Sequence, residues 1–327
     1  MKLGIIGSGI IVQEFLPRLT AMEGMEVVAI QGVPEAKEQI RKLCEDNHVA
    51  HALTDFDELC KLDIDTVYVA VPNFLHFDYC KKALERGFNV IVEKPMTSND
   101  KEAKTLKEIA VENKRFLFEA VTTLYFEGYQ KIKEWLPRIG TVKLVKCNYS
   151  QSSRRYDAFR NGETLPAFDP EKSGGALMDL NLYNLHFVMG LFGIPKSGRY
   201  YANIERGIDT SGSLILEYDG FIADCTAAKD CSAPYNFVIE GTDGYIKTML
   251  PPNLLGKLTL HLNDGNEEEF DDGMFMNRLI PEFQYFIRCI NSNDMEACLK
   301  HLDGSIAVSE VQTKARLDAG IIFPADE

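Results

Sequence analysis

The sequence lacks the features that membrane insertion, nucleic-acid binding and disulfide bonding require. No uninterrupted apolar run approaches the roughly 18 residues that a membrane-spanning helix needs. The 35 Lys and Arg residues form no dense basic block, and the formal net charge of -14 would repel phosphate backbones. The eight cysteines are scattered, without a Cys-x-x-Cys pair or a Cys/His cluster. This pattern favours reduced thiols, no metal site and a cytoplasmic location.

The length of 327 residues favours two domains, because a single hydrophobic core rarely grows so large. We predict a first domain over residues 1–120 and a second over residues 121–327. In the first, short apolar strands alternate with helices, which predicts an α/β fold built on a doubly wound parallel sheet. In the second, strands separated by Asp-Gly turns predict an α+β domain with a large, mostly antiparallel open sheet.

A glycine turn follows the first predicted strand, Lys2 to Ile6, which lacks the cleavage region of a secretion signal. Gly7 permits the tight turn, and Gly9 allows the backbone to approach a pyrophosphate closely. The N-terminus of the next helix would offer free N–H groups to that phosphate. Val12 stands where a third glycine is usual, and we expect it to shift the helix without abolishing binding. The residues predicted to form this Rossmann-type phosphate site are Gly7, Ser8, Gly9, Ile10 and Ile11.

The second predicted strand ends at Gln31, where an acidic residue would normally hold the adenosine ribose. The Gln31 amide can form a hydrogen bond with a ribose hydroxyl, and it brings no carboxylate to repel a 2′-phosphate. No arginine is present to attract such a phosphate, although Lys37 is close in sequence. NAD and NADP therefore stay open as alternative cofactors.

A short apolar run, Val90 to Val92, ends on the charged pair Glu93 and Lys94 and is stopped by Pro95. Such a run is typical of a strand buried on both faces of a parallel sheet. Ligands of these sheets bind beyond the carboxyl ends of the strands, so Lys94 would face a ligand crevice. The alternative is a pair of solvated loop charges. The further residues predicted to contact the cofactor are Pro72, Asn73, His76, Glu93 and Lys94.

A second polar group occupies the helix that begins after Gly174 and Gly175. Asp179, Tyr183 and His186 follow at spacings of four and three, which places them on one face. Burying a carboxylate, a phenol and an imidazole in an apolar helix is costly unless they meet partners or a cavity. The alternative is a core tyrosine, a carboxylate that favours the helix dipole and a satisfied core histidine.

Together these motifs resemble the glucose–fructose oxidoreductase, inositol dehydrogenase and MocA-like family of NAD(P)-dependent oxidoreductases. The motifs that carry the resemblance are Gly7-Ser8-Gly9, Val71-Pro72-Asn73-x-x-His76, Glu93-Lys94-Pro95, Phe118-Glu119-Ala120 and Gly174-Gly175-Ala176-Leu177-x-Asp179-x-x-x-Tyr183. The resemblance implies that the second domain forms the oligomer interface, in a homodimer or homotetramer. It also implies that Lys94 and Asp179 are active-site residues. Tyr183 replaces the histidine of many members, as in the branch resembling dihydrodiol and glucose–fructose enzymes. Asn181 departs from the usual glycine.

The predicted function is hydride transfer between NAD(P) and a small sugar, polyol or related carbonyl compound. A tyrosine hydroxyl has a free pKa of about 10, so Tyr183 needs a neighbouring cation such as Lys94 to exchange protons near neutrality. Asp179 would orient Lys94 or bind a substrate hydroxyl, and Arg154 and Arg155 lie in a loop that could reach the substrate. The alternatives are an NAD-dependent glycosidase and a non-catalytic, cofactor-sensing protein.

Overall fold

The computed structural model describes residues 1–273 and 277–327. Within these residues the chain forms two compact units, and each unit combines two separate segments. The first unit joins Met1–Ala120 to Leu279–Ile306. The second unit joins Val121–Arg278 to Ala307–Glu327.

The sheet of the first unit is parallel and has the order β3-β2-β1-β4-β5-β6. Its strands are β1 (Lys2–Ile6), β2 (Glu26–Gln31), β3 (His51–Leu53), β4 (Thr66–Val69), β5 (Asn89–Glu93) and β6 (Leu117–Ala120). The run Val90 to Val92 is fully buried, because helices cover both faces of a sheet of this kind. The prediction of a doubly wound parallel sheet is confirmed.

Helices connect these strands along the chain. They are α1 (Ile10–Thr20), α2 (Lys37–Asp46), α3 (Phe56–Leu59), α4 (His76–Glu85) and α5 (Asp100–Glu112). Side chains cap two of them: Asp55 accepts from the backbone N–H of Asp57, and Asn99 accepts from that of Glu102 at 3.0 Å. The buried faces of α4 and α5 complete the core on one side of the sheet.

The sheet of the second unit has the order β14-β13-β12-β11-β7-β10-β9-β8. Its strands are β7 (Val142–Ser150), β8 (Ser197–Glu205), β9 (Ile208–Tyr218), β10 (Phe221–Ala228), β11 (Asn236–Gly241), β12 (Gly244–Thr248), β13 (Lys257–Leu262) and β14 (Glu267–Asp271). Neighbouring strands are antiparallel except β7 and β10, which run parallel and pair Ser150 with Ala228. The prediction of a large, mostly antiparallel sheet is confirmed, and its parallel pair brings two carboxyl ends together.

One face of this sheet is covered by α6 (Glu127–Trp135) and α8 (Leu182–Phe192), while α7 (Arg154–Arg160) lies in the arginine-bearing loop. A wide π-helical turn, Leu177–Asn181, leads into α8. The ring of Phe187 on α8 lies 4.1 Å from that of Phe237 on β11, which illustrates how the helix packs on the sheet.

The last two helices, α9 (Ile280–Ser292) and α10 (Met295–Asp318), do not follow the domain boundary predicted at residue 120. The sequence placed all residues after 120 in the second domain, but α9 and the start of α10 belong to the first unit. The physical reason is aromatic packing. The ring centre of Phe283 lies 5.3 Å from that of Tyr68, and the ring centre of Phe286 lies 4.6 Å from that of Phe118. In the described parts of the chain, no helix combines the length and hydropathy of a membrane span.

Candidate functional site

The glycine turn after β1 is fixed between the ends of β2 and β4. The Gly7 backbone has φ of +113°, and its N–H donates to the Gln31 carbonyl at 2.7 Å. A Cβ atom at Gly7 would lie 2.2 Å from the Ala70 carbonyl oxygen, which no side chain tolerates. Glycine is therefore required at position 7 by both conformation and space.

Gly9, in contrast, borders open space at the N-terminus of α1. Its φ of -68° suits any residue, and an added Cβ would meet nothing within 4 Å. The first N–H groups of α1 have no acceptors within the helix, so the opening suits a phosphate group. The side chains of Gln13 and Gln39 both donate to the Ser8 carbonyl, at 2.7 and 3.0 Å, and hold the turn in place.

Gln31 supplies a second feature that fits a dinucleotide. Its side chain is 4% exposed, and Nε2 donates to the Gly32 carbonyl at 3.0 Å. Its Oε1 atom is buried and accepts no hydrogen bond from the residues that the structure describes. An unsatisfied amide oxygen at the end of β2 can accept a hydrogen bond from a ribose hydroxyl.

His76 joins the loop after β4 to the loop after β5. The side chain is fully buried, with Nδ1 2.8 Å from the Pro95 carbonyl and Nε2 2.8 Å from the Val71 carbonyl. Burial lowers the pKa of the imidazole, although the two carbonyls and the Glu119 carboxylate favour its charged form. Both ring nitrogens face backbone oxygens, so the side chain positions the two loops.

The Glu93-Lys94 pair lies where the sequence predicts it, at the carboxyl end of β5. Glu93 and Lys94 are both half-buried, and the Tyr68 hydroxyl donates to Glu93 Oε1. The backbone after Lys94 is fixed because the Met96 N–H donates to Glu119 Oε1 at 2.8 Å. The other predicted cofactor residues lie at the ends of β1, β2 and β4, so the structure brings them to one edge of the sheet.

In the second unit, asparagines anchor the π-helical turn that carries Asp179. Asn181 is fully buried, and its Nδ2 donates to the Cys225 carbonyl on β10 at 2.8 Å. Asn184 donates to the Thr226 carbonyl at 2.9 Å and to Asn181 Oδ1 at 2.8 Å. These bonds account for the departure from glycine at position 181, because the amide ties the turn to the sheet.

The start of the same turn is held by Asp209, a residue that the sequence did not single out. Asp209 is 1% exposed and accepts from the Leu177 N–H at 2.6 Å and from the Tyr200 hydroxyl at 2.7 Å. Burial raises the pKa of Asp209 to about 6. A Cβ atom at Gly175 would lie 2.1 Å from Asp209 Oδ1, so the second glycine of the motif makes room for this carboxylate.

A cleft of about 470 Å³ opens beside Asp179, at the carboxyl ends of the parallel pair β7 and β10. Gln151 to Arg154 follow β7, and Lys229 follows β10. The Lys229 ammonium lies 2.8 Å from Asp179 Oδ2, an ion pair that the sequence did not predict. The lining of the cleft consists of Gln151, Ser152, Ser153, Arg154, Asp179, Leu180 and Lys229.

Tyr183 and His186 follow Asp179 on α8 and are more deeply buried, at 6% and 2% exposure. The Tyr183 ring belongs to the apolar core cluster and lies 5.9 Å from the Tyr149 ring. Arg154 lines the cleft, as the sequence suggested, while Arg155 is exposed on α7. Across the described residues, no group of three His, Cys, Asp or Glu side chains is placed to hold a metal ion.

The parallel sheet, its glycine turn and the polar edge define a dinucleotide-binding oxidoreductase, and comparison with known proteins confirms that class. Residues 1–121 match the model of an oxidoreductase family with an NAD-binding Rossmann fold, and residues 129–247 match the GFO/IDH/MocA C-terminal domain. The chain belongs to the GFO/IDH/MocA family and is an NAD(P)-dependent oxidoreductase, as its motifs indicated.

Relatives match over essentially the whole chain. A scyllo-inositol 2-dehydrogenase (NADP(+)) of Bacillus subtilis is 32% identical, over 100% of this chain and 99% of the relative. A trans-1,2-dihydrobenzene-1,2-diol dehydrogenase of Xenopus laevis is 26% identical, over 99% of each chain. Among solved structures, a 3-ketoreductase from Actinomadura kijaniata in complex with NADP and TDP-benzene has a TM-score of 0.84 at 19% identity, over 97% of each chain. The last similarity shows a shared fold.

The open space at Gly9 leads to a prediction about cofactor binding. Replacing Gly9 with Asp places a side chain and a negative charge where we expect the pyrophosphate. The dissociation constant for NAD(P)H should rise at least tenfold, or about 1.4 kcal/mol, in a fluorescence titration. Gly304→Asp is the matched control, because a Cβ at Gly304 on α10 also meets nothing within 4 Å. Unchanged affinity in a folded Gly9→Asp variant would contradict the assignment of residues 7–11.

Proposed function

We propose that this oxidoreductase acts on a secondary alcohol or ketone of a small sugar or cyclic polyol. The observation that carries the proposal is the cleft of about 470 Å³, in which six of the seven lining residues have polar or charged side chains. Amide, hydroxyl, carboxylate and guanidinium groups complement a ligand that presents hydroxyls around a ring. The full-length similarity to a scyllo-inositol dehydrogenase supports the same substrate class.

Bound NAD(P) would supply or accept the hydride, and the residues of the chain would bind substrate and move the proton. We assign Tyr183 as the proton donor or acceptor and Lys94 as the cation that polarises the substrate oxygen. A neighbouring ammonium favours the phenolate form of a tyrosine, so Lys94 would also promote proton transfer near neutral pH. Asp179, on the wall of the cleft, would accept a hydrogen bond from a substrate hydroxyl.

The residues expected to hold the cofactor are those at the carboxyl edge of the first unit. Gly7 to Ile11 would bind the pyrophosphate, Gln31 the adenosine ribose, and Pro72, Asn73, Glu93 and Lys94 the nicotinamide half. His76 would act by holding two of these loops together, since both of its nitrogens face backbone carbonyls. We propose that the site accepts NADP(H), the cofactor of the scyllo-inositol dehydrogenase relative, because Gln31 brings no carboxylate to repel a 2′-phosphate.

The uncovered face of the second sheet supports a homodimer or homotetramer. Tyr201 on β8 and Ile222 on β10 lie on this face, at 57% and 44% exposure, opposite the buried Tyr200 and Ala223. A monomer in analytical ultracentrifugation at micromolar concentration would contradict the proposed assembly.

All eight cysteines are free thiols, which supports a cytoplasmic location.

A substrate panel tests the proposed function. Fluorescence titration with NADPH and NADH identifies the cofactor. The enzyme is then offered inositols and cyclic sugars with the oxidised cofactor, and open-chain aldehydes with the reduced cofactor. We expect reduction of NAD(P)+ with cyclic polyols and weaker activity with open-chain aldehydes, because the cleft presents polar groups on several sides. Cleavage of an aryl glycoside without net NADH formation would instead show a glycosidase. Cofactor binding without turnover of any compound would favour a non-catalytic role.

A further inference from the structure

The two side chains of the ion pair between Lys229 and Asp179 differ in their solvent exposure. The Lys229 side chain is 3% exposed, whereas the Asp179 side chain is 33% exposed and faces the cleft. The cation is therefore almost inaccessible to solvent, whereas the carboxylate is open to the cleft.

The ammonium of Lys229 is held by several contacts at once. Nζ donates to Asp179 Oδ2 at 2.8 Å and to the Ala167 carbonyl at 3.0 Å, and it lies 4.9 Å from the centre of the Phe168 ring. Phe168 is fully buried, so the pair lies against an apolar wall where charge interactions are less screened. Lysine at this position thus has a fixed head group.

The backbone of Lys229 is fixed as well. Its N–H donates to the Thr210 carbonyl at 2.8 Å, and its carbonyl accepts from the Ser153 N–H at 2.9 Å. The Ala167 carbonyl also accepts from the Gly175 N–H at 3.1 Å, just before the turn that carries Asp179. The same oxygen therefore connects Lys229 to the base of the Asp179 turn.

From this arrangement we infer that Lys229 is a positioning residue, which holds the Asp179 carboxylate in a fixed orientation at the wall of the cleft. The inference rests on the proposed function, in which Asp179 binds a substrate hydroxyl. Lys229 acts through Asp179, because its ammonium is held by Asp179 and the Ala167 carbonyl and only 3% of its side chain is exposed. Without the cation, the half-buried carboxylate would lose the ammonium that lies 2.8 Å from its Oδ2 atom and helps to fix its orientation.

The test is a double-mutant cycle in steady-state kinetics with a substrate found in the panel. Lys229→Met should lower kcat/KM at least about tenfold, the size expected when a hydrogen-bonding group is misplaced. If Lys229 acts through Asp179, the double variant Asp179→Asn/Lys229→Met should be no worse than Asp179→Asn alone, within about twofold. The KM for the polyol should rise in Lys229→Met, while the dissociation constant for NADPH stays within about twofold of wild type.

Lys131→Met is the matched control. Lys131 on α6 also pairs with a carboxylate, Glu134 at 3.0 Å, and lies 5.5 Å from the Trp135 ring in the same unit. We expect it to retain wild-type kinetics. If Lys229→Met fails to fold, Lys229→Gln keeps a hydrogen-bond donor on a slightly shorter side chain and should show a smaller loss with the same non-additivity.

The outcomes separate this inference from the proposed function. Wild-type kcat/KM in Lys229→Met, or in a folded Lys229→Gln if Met is not tolerated, would overturn the positioning role while leaving the function intact. Losses that multiply in the double variant would also overturn it, because Lys229 would then act independently of Asp179. A wild-type protein that binds NADPH but oxidises no compound of the panel would overturn the proposed function, and the positioning role with it.

Discussion

Replacing Lys94 with Met should lower kcat at least about a hundredfold, the range typical of lost charge stabilisation in an active site, while cofactor binding is retained. Met keeps the length and apolar stem of lysine and removes the ammonium. Lys94 is half-buried at the carboxyl end of β5, in the set of loops that also contains the Gly7–Gly9 turn. Steady-state kinetics on a verified substrate, together with an NADPH titration, measures both effects.

Lys101→Met provides the control for this variant, because Lys101 is an exposed lysine on α5 in the same unit. We expect the control to be fully active. Near wild-type turnover in Lys94→Met would show that Lys94 is an ordinary loop charge and would remove it from the catalytic residues.

Replacing Tyr183 with Phe should reduce kcat by about a hundredfold or more, as loss of general acid–base catalysis typically does. The substitution removes only the hydroxyl, so the ring packing against Tyr149 remains. Tyr129→Phe is a matched control. Tyr129 on α6 is 2% exposed, and its ring packs against Phe187 on α8, the helix that also carries Tyr183. Its hydroxyl makes no hydrogen bond with the described residues, so the control should keep full activity.

His186 is the competing proton carrier, one helical turn beyond Tyr183. Histidine is the side chain that most often serves as a general acid or base, so the test must separate it from Tyr183. If Tyr183 is the acid–base group, His186→Gln should affect mainly stability, and the rising limb of the pH–rate profile for alcohol oxidation should vanish in Tyr183→Phe. A limb that survives in Tyr183→Phe and disappears in His186→Gln would assign the proton to the imidazole.

The parallel sheet and its polar edge could be predicted because their signals are local. A buried strand such as Val90 to Val92 is recognisable from consecutive β-branched residues, and its end from the charged pair and proline that follow. The glycine turn is local in the same sense, since the φ of +113° at Gly7 and its close approach to Ala70 require one residue type. The order of the motifs then led to the prediction that Lys94, Asp179 and Tyr183 are catalytic residues.

The partners of these residues could not be predicted, because they come from distant parts of the chain. Lys229 is 50 residues from Asp179, and Asp209 is 32 residues from Leu177. A lysine after a strand usually indicates a solvated end, and only the parallel pairing of β7 with β10 places Lys229 beside the cleft. Strand β14 could not be predicted for a different reason: its Glu267 to Glu269 run has low strand propensity, and the strand pairs only with β13 at the edge of the sheet.

The division of the first unit into two segments affects how the nascent chain can fold. Ribosomes add about 5–20 residues per second, so Val121–Arg278 takes on the order of ten seconds to translate. During that interval Tyr68 and Phe118 lack the aromatic cover that Phe283 and Phe286 later provide. The dinucleotide-binding unit therefore begins to form first and is completed only after α9 and the start of α10 have emerged.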